Sequence, residues 1–373
     1  MMWAEEKSDK TMKRGHKSRV AVGLSGGVDS SVAAALVKEM GYEVLGLTME
    51  IYDSAVTLHE AVRHACYGPG EREDVEVAGR VCRKLGIRFH VIDLRQEYRN
   101  HVIDYFRRGY LEGKTPNPCV VCNQKLKFGF LIEKARAAGL DFDYFATGHY
   151  ARATKSGQRF VLQRALDRFK DQTYFLYGLT QEQLSGILFP LGSYTKKQVR
   201  QIARTLNLET AERRESQDFI AGGDYLRLFS EEEVRAGEIV DQSGKVLGKH
   251  RGIMRYTIGQ RRGLGIASSK PLYVVRIDAR KNQVVVSHEE PFSQGLIVTD
   301  LNLIALGAIE QPQRVEVKIR LQHRAAPAMV FPPEIGLTKI VFQEPQPSVT
   351  PGQSAVLYSG DIVYGGGVIQ SVL

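Results

Sequence analysis

The chain has 373 residues, 43% of them hydrophobic, 25% charged and 9% aromatic. That length gives room for two or three domains with cores of their own, and the balance excludes a disordered chain. No apolar run approaches the roughly 18 residues of a membrane span, and residues 1–19 carry charges without an apolar stretch. Neither an anchor nor a secretory leader is therefore expected. Four cysteines do not make a disulfide scaffold and fit a reduced cytoplasm. The 51 Lys and Arg against 42 Asp and Glu leave +9, a balance that suits a polyanionic partner.

Residues 1–18 read as a flexible tail. Residues 19–24 are a short β-branched run, followed by a Gly turn and an apolar helical pattern over 30–40. Residues 42–48 read as a buried strand, and a long polar excursion follows. Val75, Ala78, Cys82 and Leu85 recur at helical spacing within 74–85. Residues 89–94 and 144–147 are further strands, with a helix over 128–138 between them. This alternation predicts an α/β, doubly wound parallel sheet with crossover helices over 19–216.

Past Gln217 the character changes. Residues 242–277 hold no Asp or Glu but eight cations: Lys245, Lys249, Arg251, Arg255, Arg261, Arg262, Lys270 and Arg276. Interleaved glycines let backbone approach a ligand closely. A solvated basic loop and a surface that tracks nucleic-acid phosphates both fit such a stretch. A small central RNA-binding domain is expected over 217–288, with a strand at 284–286. Val315, Val317, Ile319 and Leu321 then alternate with Glu316, Lys318 and Arg320, the period of a half-buried strand. Strands at 354–358 and 361–369 complete an expected antiparallel β-barrel over 289–373.

Gly23-Leu24-Ser25-Gly26-Gly27-Val28-Asp29-Ser30 follows the first strand and opens a helix. Free N–H groups and the helix dipole at such a turn make a site for pyrophosphate. Gly26 and Gly27 permit the tight backbone, serine hydroxyls add donors, and Asp29 can help hold Mg²⁺. The lysine of a Walker loop is absent, which argues against γ-phosphate transfer. The run resembles the PP-loop ATP pyrophosphatases, enzymes that adenylate a carbonyl-type oxygen and release pyrophosphate.

Cys119 and Cys122 form a CxxC behind Thr115-Pro116-Asn117-Pro118, read as a Pro-stiffened loop. As half a zinc site it needs two more ligands, and Cys66 and Cys82 are the remaining thiols. Cys82 lies on the apolar stripe of its helix and reads as a core residue. Cys66 sits in a polar, Gly-rich segment and is free to join a site. Exposed paired thiols in a reducing cell serve redox, metal or sulfur chemistry.

On these residues the chain resembles the tRNA 2-thiouridylases, the MnmA family. The likeness also takes in Ala146-Thr147-Gly148-His149-Tyr150, Lys170-Asp171-Gln172-Thr173-Tyr174-Phe175-Leu176, Glu215-Ser216-Gln217-Asp218, residues 256–265, Lys318-Ile319-Arg320 and Thr350-Pro351-Gly352-Gln353. The resemblance implies an adenine nucleotide alpha hydrolase-like first domain. It implies a reaction in which ATP adenylates C2 of the wobble uridine of tRNA and sulfur displaces AMP. It places residues 23–30 on the ATP phosphates and Met49 and Gly148 on the nucleoside. Asn117 and Pro118 then approach the target base, and Cys122 takes the catalytic position. His149, Lys170, Asp171, Gln172, Arg320, Leu321 and Gln353 take tRNA-contacting positions, with Cys119 beside the base.

Two departures from the family form bear on the sulfur. Cys119 stands where the family has an acidic residue, and Ile220 stands where it has a second cysteine. One repair is a [4Fe–4S] cluster held by Cys66, Cys119 and Cys122, with an open iron to deliver hydrosulfide. This is the favoured expectation, because Cys66 follows the second strand at the ligand-binding edge of the sheet. The other is a persulfide on Cys122 resolved by Cys119. The implied sulfur donor is a cysteine desulfurase, a relay protein or hydrosulfide. A PP-loop enzyme that uses an amine, a paralogue that thiolates another RNA, and a non-catalytic RNA-binding module are the competing readings.

Overall fold

The structure is a computed structural model that describes residues 12–13, 16–53, 65–214, 218–220 and 225–373. The Glu215-Ser216-Gln217 motif and most of the expected tail lie outside them. The chain divides into two compact units. One holds Met1–Arg99, Cys119–Asp224 and Asp361–Val363, and the other Asn100–Pro118, Tyr225–Gly360 and Tyr364–Leu373.

The first unit is built on β1 (Arg19–Gly23), α1 (Val28–Glu39), β2 (Glu43–Glu50), α2 (Glu71–Leu85), β3 (Arg88–Asp93), β4 (Tyr144–Thr147), β5 (Ile187–Leu188) and α3 (Lys196–Thr205). The five strands pair in parallel in the order β5-β4-β1-β2-β3. Val20, Ala21 and Val22 are fully buried, as a central parallel strand covered on both faces demands. Gly46 lets α2 settle on β2, because a Cβ there would lie 2.6 Å from the Cys82 sulfur. Val32 and Leu36 of α1 pack with Val77 and Val81 of α2 and Val199 of α3. The strand order reverses between β1 and β4. That reversal opens a crevice at the carboxyl ends of the strands, where ligands bind in such sheets.

The helix expected from residue 128 begins at Pro118. An α-helical turn (Pro118–Val121) runs into a π-helical stretch (Cys122–Phe130) and an α-helix (Leu131–Ala137). The CxxC therefore stands on the first turn of a helix, not on a loop. Proline suits the first helical position, where its missing N–H costs nothing.

In the second unit, β6 (Gly237–Asp241), β7 (Val246–His250), β8 (Tyr273–Asp278) and β9 (Gln283–Ser287) form a mixed sheet in the order β7-β6-β9-β8. Next come β10 (Phe292–Leu303), β11 (Gln313–Lys318), β12 (Ala326–Val330), β13 (Thr338–Pro347), β14 (Ser354–Ser359) and β15 (Ile362–Val372). They pair as β10-β13-β12-β11-β14-β15, and β15 returns to β10. This closed six-stranded antiparallel barrel has no free edge. Val317, Val330, Ile340, Leu357 and Ile369 fill it, all fully buried. The alternation that predicts a strand through Leu321 outlasts the strand itself. β11 stops at Lys318, and Arg320 accepts the His323 N–H in a turn. Among the described residues no helix is long and apolar enough to cross a membrane.

Candidate active site

A cleft of about 280 Å³ opens at the β1/β4 crevice. Every residue expected to meet ATP lines it: Gly23 to Ser30, Met49 and Gly148. The loop is shaped by its own hydroxyls. Ser30 Oγ accepts the Ser25 N–H at 3.2 Å, and Ser31 Oγ donates to the Gly27 carbonyl at 2.8 Å. Ser31 is thereby buried in the turn, away from the cleft. Gly26 is left-handed, with φ +69°, and a Cβ there would lie 2.6 Å from the Asp74 carbonyl. At Gly148 a Cβ would lie 2.6 Å from the Ser30 nitrogen. Only glycine lets the turn after β4 close on the start of α1. The first-turn N–H groups of α1 then face the cleft with no acceptor of their own helix.

Asp29 is already engaged. Tyr150 donates its hydroxyl to Oδ1 at 2.8 Å, and Lys196 Nζ lies 2.8 Å from both oxygens. Three of about four lone-pair directions are used, leaving one for a cation. Arg213 donates to the Gly26 carbonyl at 2.8 Å and pairs with Asp74 at 3.0 Å. Arg214 lines the same cleft, exposed and without an ion pair among the described residues. Sequence reasoning missed Arg213, Arg214, Tyr150 and Lys196. The available signals were that Tyr150 ends the Ala146-Thr147-Gly148-His149-Tyr150 motif and that both arginines directly precede Glu215-Ser216-Gln217.

The thiols sort by burial. Cys82 is a core residue of α2, and burial pushes its thiol up to about 12. Cys66, on the short strand Ala65–Tyr67, is exposed and lines the cleft. That strand pairs in parallel with Asp218–Ile220, which sets Tyr67 opposite Ile220. Cys119 and Cys122, three apart on their helix, share a face. Burial pushes Cys119 up to about 12, with Cys66 and Cys122 adding to it. Burial likewise pushes Cys122 up to about 11 against the pull of Lys127. Burial opposes the Lys127 ammonium, yet the thiols of Cys122, Cys66 and Cys119 together hold its pKa above the ordinary value. Lys127 reaches the Cys122 face because the helix is π there. In an α-helix five residues would set the two side chains about 140° apart, whereas i→i+5 bonding stacks them. The cluster expectation fares differently. Among the described residues no three His, Cys, Asp or Glu side chains gather closely enough to hold a metal ion.

His149 lines the cleft, and its Nδ1 lies 2.8 Å from Thr147 Oγ1. Burial, then Lys127, holds its pKa well below the ordinary value, so the imidazole is neutral. Asp171 accepts the Ala165 N–H at 2.9 Å and the Thr173 hydroxyl at 2.7 Å. Gln172 exchanges hydrogen bonds with the Tyr150 backbone at 2.9 and 3.0 Å. Gln172 lines the cleft, and Lys170 is half-exposed.

In the second unit Asn117 and Pro118 are buried. Gln353 donates to the Thr115 carbonyl at 2.9 Å, and Thr115 donates to the Pro351 carbonyl at 2.9 Å. Gln353 thus anchors the segment before Asn117. Arg320 is half-exposed and Leu321 exposed, both in the turn after β11. All eight cations of residues 242–277 are exposed, and none forms an ion pair among the described residues. Arg261 and Lys270 flank a shallow hollow with Ser268 and Ser269.

Three family models match the chain in succession. They are a tRNA methyl transferase HUP domain over residues 18–221, a tRNA methyl transferase PRC-barrel domain over 224–288 and an Aminomethyltransferase beta-barrel domain over 293–369. A tRNA-specific 2-thiouridylase MnmA of Acetivibrio thermocellus is 47% identical over 362 residues, 95% of this chain and 99% of its own. One of the same name from Carboxydothermus hydrogenoformans is 46% identical over 367 residues, 96% of this chain and 99% of its own. Another, from Clostridium perfringens strain 13, is 45% identical over 363 residues, again 96% and 99%.

Proposed function

The chain belongs to the tRNA-specific 2-thiouridylase MnmA family, and on that premise we propose how its own residues divide the reaction. The protein is an ATP-dependent tRNA-uridine 2-sulfurtransferase. In our reading ATP adenylates C2 of the wobble uridine, with Gly23 to Ser30 on its phosphates and Met49 and Gly148 on its nucleoside. Mg²⁺ neutralises phosphate charge when bound, and the open lone pair of Asp29 is where this chain would hold it. Arg214 supplies the cation that a Walker lysine would otherwise bring, and Arg213 keeps the Gly26–Gly27 turn in form. Adenylation matters because AMP leaves readily where oxide does not.

Sulfur arrives through Cys119 and Cys122. A persulfide on Cys122 attacks the adenylated carbon with its terminal sulfur, and AMP leaves with the C–O bond electrons. Cys119 then attacks the inner sulfur of Cys122, frees the thiouridine and closes a CxxC disulfide. A thiol reductant reopens that disulfide, supplying two electrons per turnover. The observation that carries this reading is one shared wall: Cys66 and Lys127 line the same cleft as Gly26 and Gly27. A [4Fe–4S] cluster on Cys66, Cys119 and Cys122 is the alternative carrier. As they stand the thiols do not gather on one point, so no step is assigned to it.

We place tRNA along the exposed cations of residues 242–277 and Arg320, with Asn117 and Pro118 nearest the base. We also keep the division into a catalytic domain over 19–216, a central domain over 217–288 and a barrel over 289–373. The four free thiols suit the cytoplasm.

The test is anaerobic purification with iron and sulfide analysis of wild type and Cys66→Ala, alongside 2-thiouridine formation. Iron-free protein that thiolates tRNA with ATP and a sulfur donor supports the persulfide route. Four irons per chain, lost with Cys66, overturn that route in favour of the cluster.

A further inference from the structure

Phe169 is fully exposed, the most exposed aromatic among the described residues. The backbone beneath it is tied down. Phe169 donates its N–H to Asp167 Oδ1 at 3.2 Å, and Lys170 donates to the Asp167 carbonyl at 3.1 Å. The other Asp167 oxygen accepts the Lys196 N–H at 2.9 Å. Arg168 on the near side is held by Asp361 at 2.5 Å. This is an Asp-initiated turn whose tip points a phenyl ring into water between two cations. Single exposed apolar residues are ordinary, but a ring held clear of all packing leaves its whole apolar face unsatisfied.

A turn fixed by its own hydrogen bonds with an outward aromatic is what a protein presents to unpaired nucleotides. The ring takes the face of any base. The substrate of this enzyme is a tRNA, whose loops carry such bases. We propose that Phe169 stacks on an unpaired nucleobase of the bound tRNA. The ring gives affinity without reading sequence, because every base has a π-face. It rests on the reading that this chain binds tRNA directly.

The experiment measures tRNA affinity over a salt series for wild type, Phe169→Ala and Phe169→Trp. Phe169→Ala should bind about five- to 150-fold more weakly, with the slope of log K against log salt unchanged because no cation is lost. Phe169→Trp should bind as well as wild type. With Trp3→Phe removing the single natural tryptophan, the Phe169→Trp chain should lose fluorescence when tRNA is added. Phe169→Ala within twofold of wild type, or unchanged fluorescence, overturns the proposal; a ring that docks on protein gives that result. Wild-type protein that fails to bind tRNA overturns the direct-binding reading and the proposal with it. The side chain touches nothing, so folding is not at stake.

Discussion

Lys196 holds Asp29 with its ammonium, 2.8 Å from both carboxylate oxygens. Its backbone N–H holds Asp167 at 2.9 Å. One residue at the start of α3 thus anchors both the phosphate loop and the turn that carries Phe169. The Lys196 and Asp29 side chains are 12% and 28% exposed, so water does little of this work. Lys196→Met should leave Asp29 with Tyr150 alone. We expect a stability loss of about 1–3 kcal/mol and at least a tenfold fall in ATP–pyrophosphate exchange. Thermal melting and exchange kinetics check the two effects separately.

Arg213 gives a sharper split. Its guanidinium fixes the Gly26 carbonyl, which turns the Gly27 N–H of the same trans peptide the opposite way. Arg213→Met should raise KM for ATP and weaken pyrophosphate binding about tenfold or more, the cost of one charge-assisted bond. AMP binding should stay within twofold. Equal losses for ATP and AMP would count against a role confined to the phosphates.

The two half-reactions should separate at the thiols. Cys122→Ser and Cys119→Ser should each abolish 2-thiouridine formation while ATP–pyrophosphate exchange persists. Cys82→Ala should leave both intact and lower the melting temperature, since it empties a fully buried position. Nucleoside analysis of the product tRNA reads the first effect.

Alkaline pH should destabilise the protein. Cys82 and Cys119 are pushed up to about 12 and Cys122 to about 11, against 9.0 unperturbed. Between those values the unfolded chain has lost protons that the folded chain keeps, so stability falls as pH rises. That contribution is complete below pH 9 and fades as pH climbs toward 11–12. The melting temperature should drop steadily above pH 9, and less steeply in Cys82→Ala.

The basic stretch predicts a salt signature. Arg261→Ala with Arg262→Ala should weaken tRNA binding and reduce the log–log salt slope by roughly 1–2. An unchanged slope would remove these exposed side chains from the phosphate path.

Much of this was legible in the chain. Gly26 and Gly27 behind a β-branched run announced the phosphate turn, because Gly26 takes the left-handed backbone that favours glycine and a helix start always leaves free N–H groups. The alternation of Val315, Val317 and Ile319 announced the barrel, since period two has one physical meaning. The charge of residues 242–277 announced an exposed cationic face, because unpaired cations do not bury. In each case the information is local, carried by neighbours in sequence.

What escaped depends on segments far apart. Tyr150 and Lys196 meet Asp29 only because β4 and α3 fold back on the loop after β1. Asp171, Gln172 and Gln353 look like contacts awaiting a ligand, yet packing gives them backbone partners. Lys127 joins the thiols only because the helix is π-bonded where it leaves Cys122, a difference of one hydrogen-bond register that no spacing rule reveals. Motif residues, local backbone preference and hydrophobic period already carry the family, the phosphate turn and the order of sheet, small middle domain and barrel. Packing settles which charges neutralise one another, which polar groups are spent on backbone and which ring is left in water. Those follow from distances between residues that only the packed chain brings together.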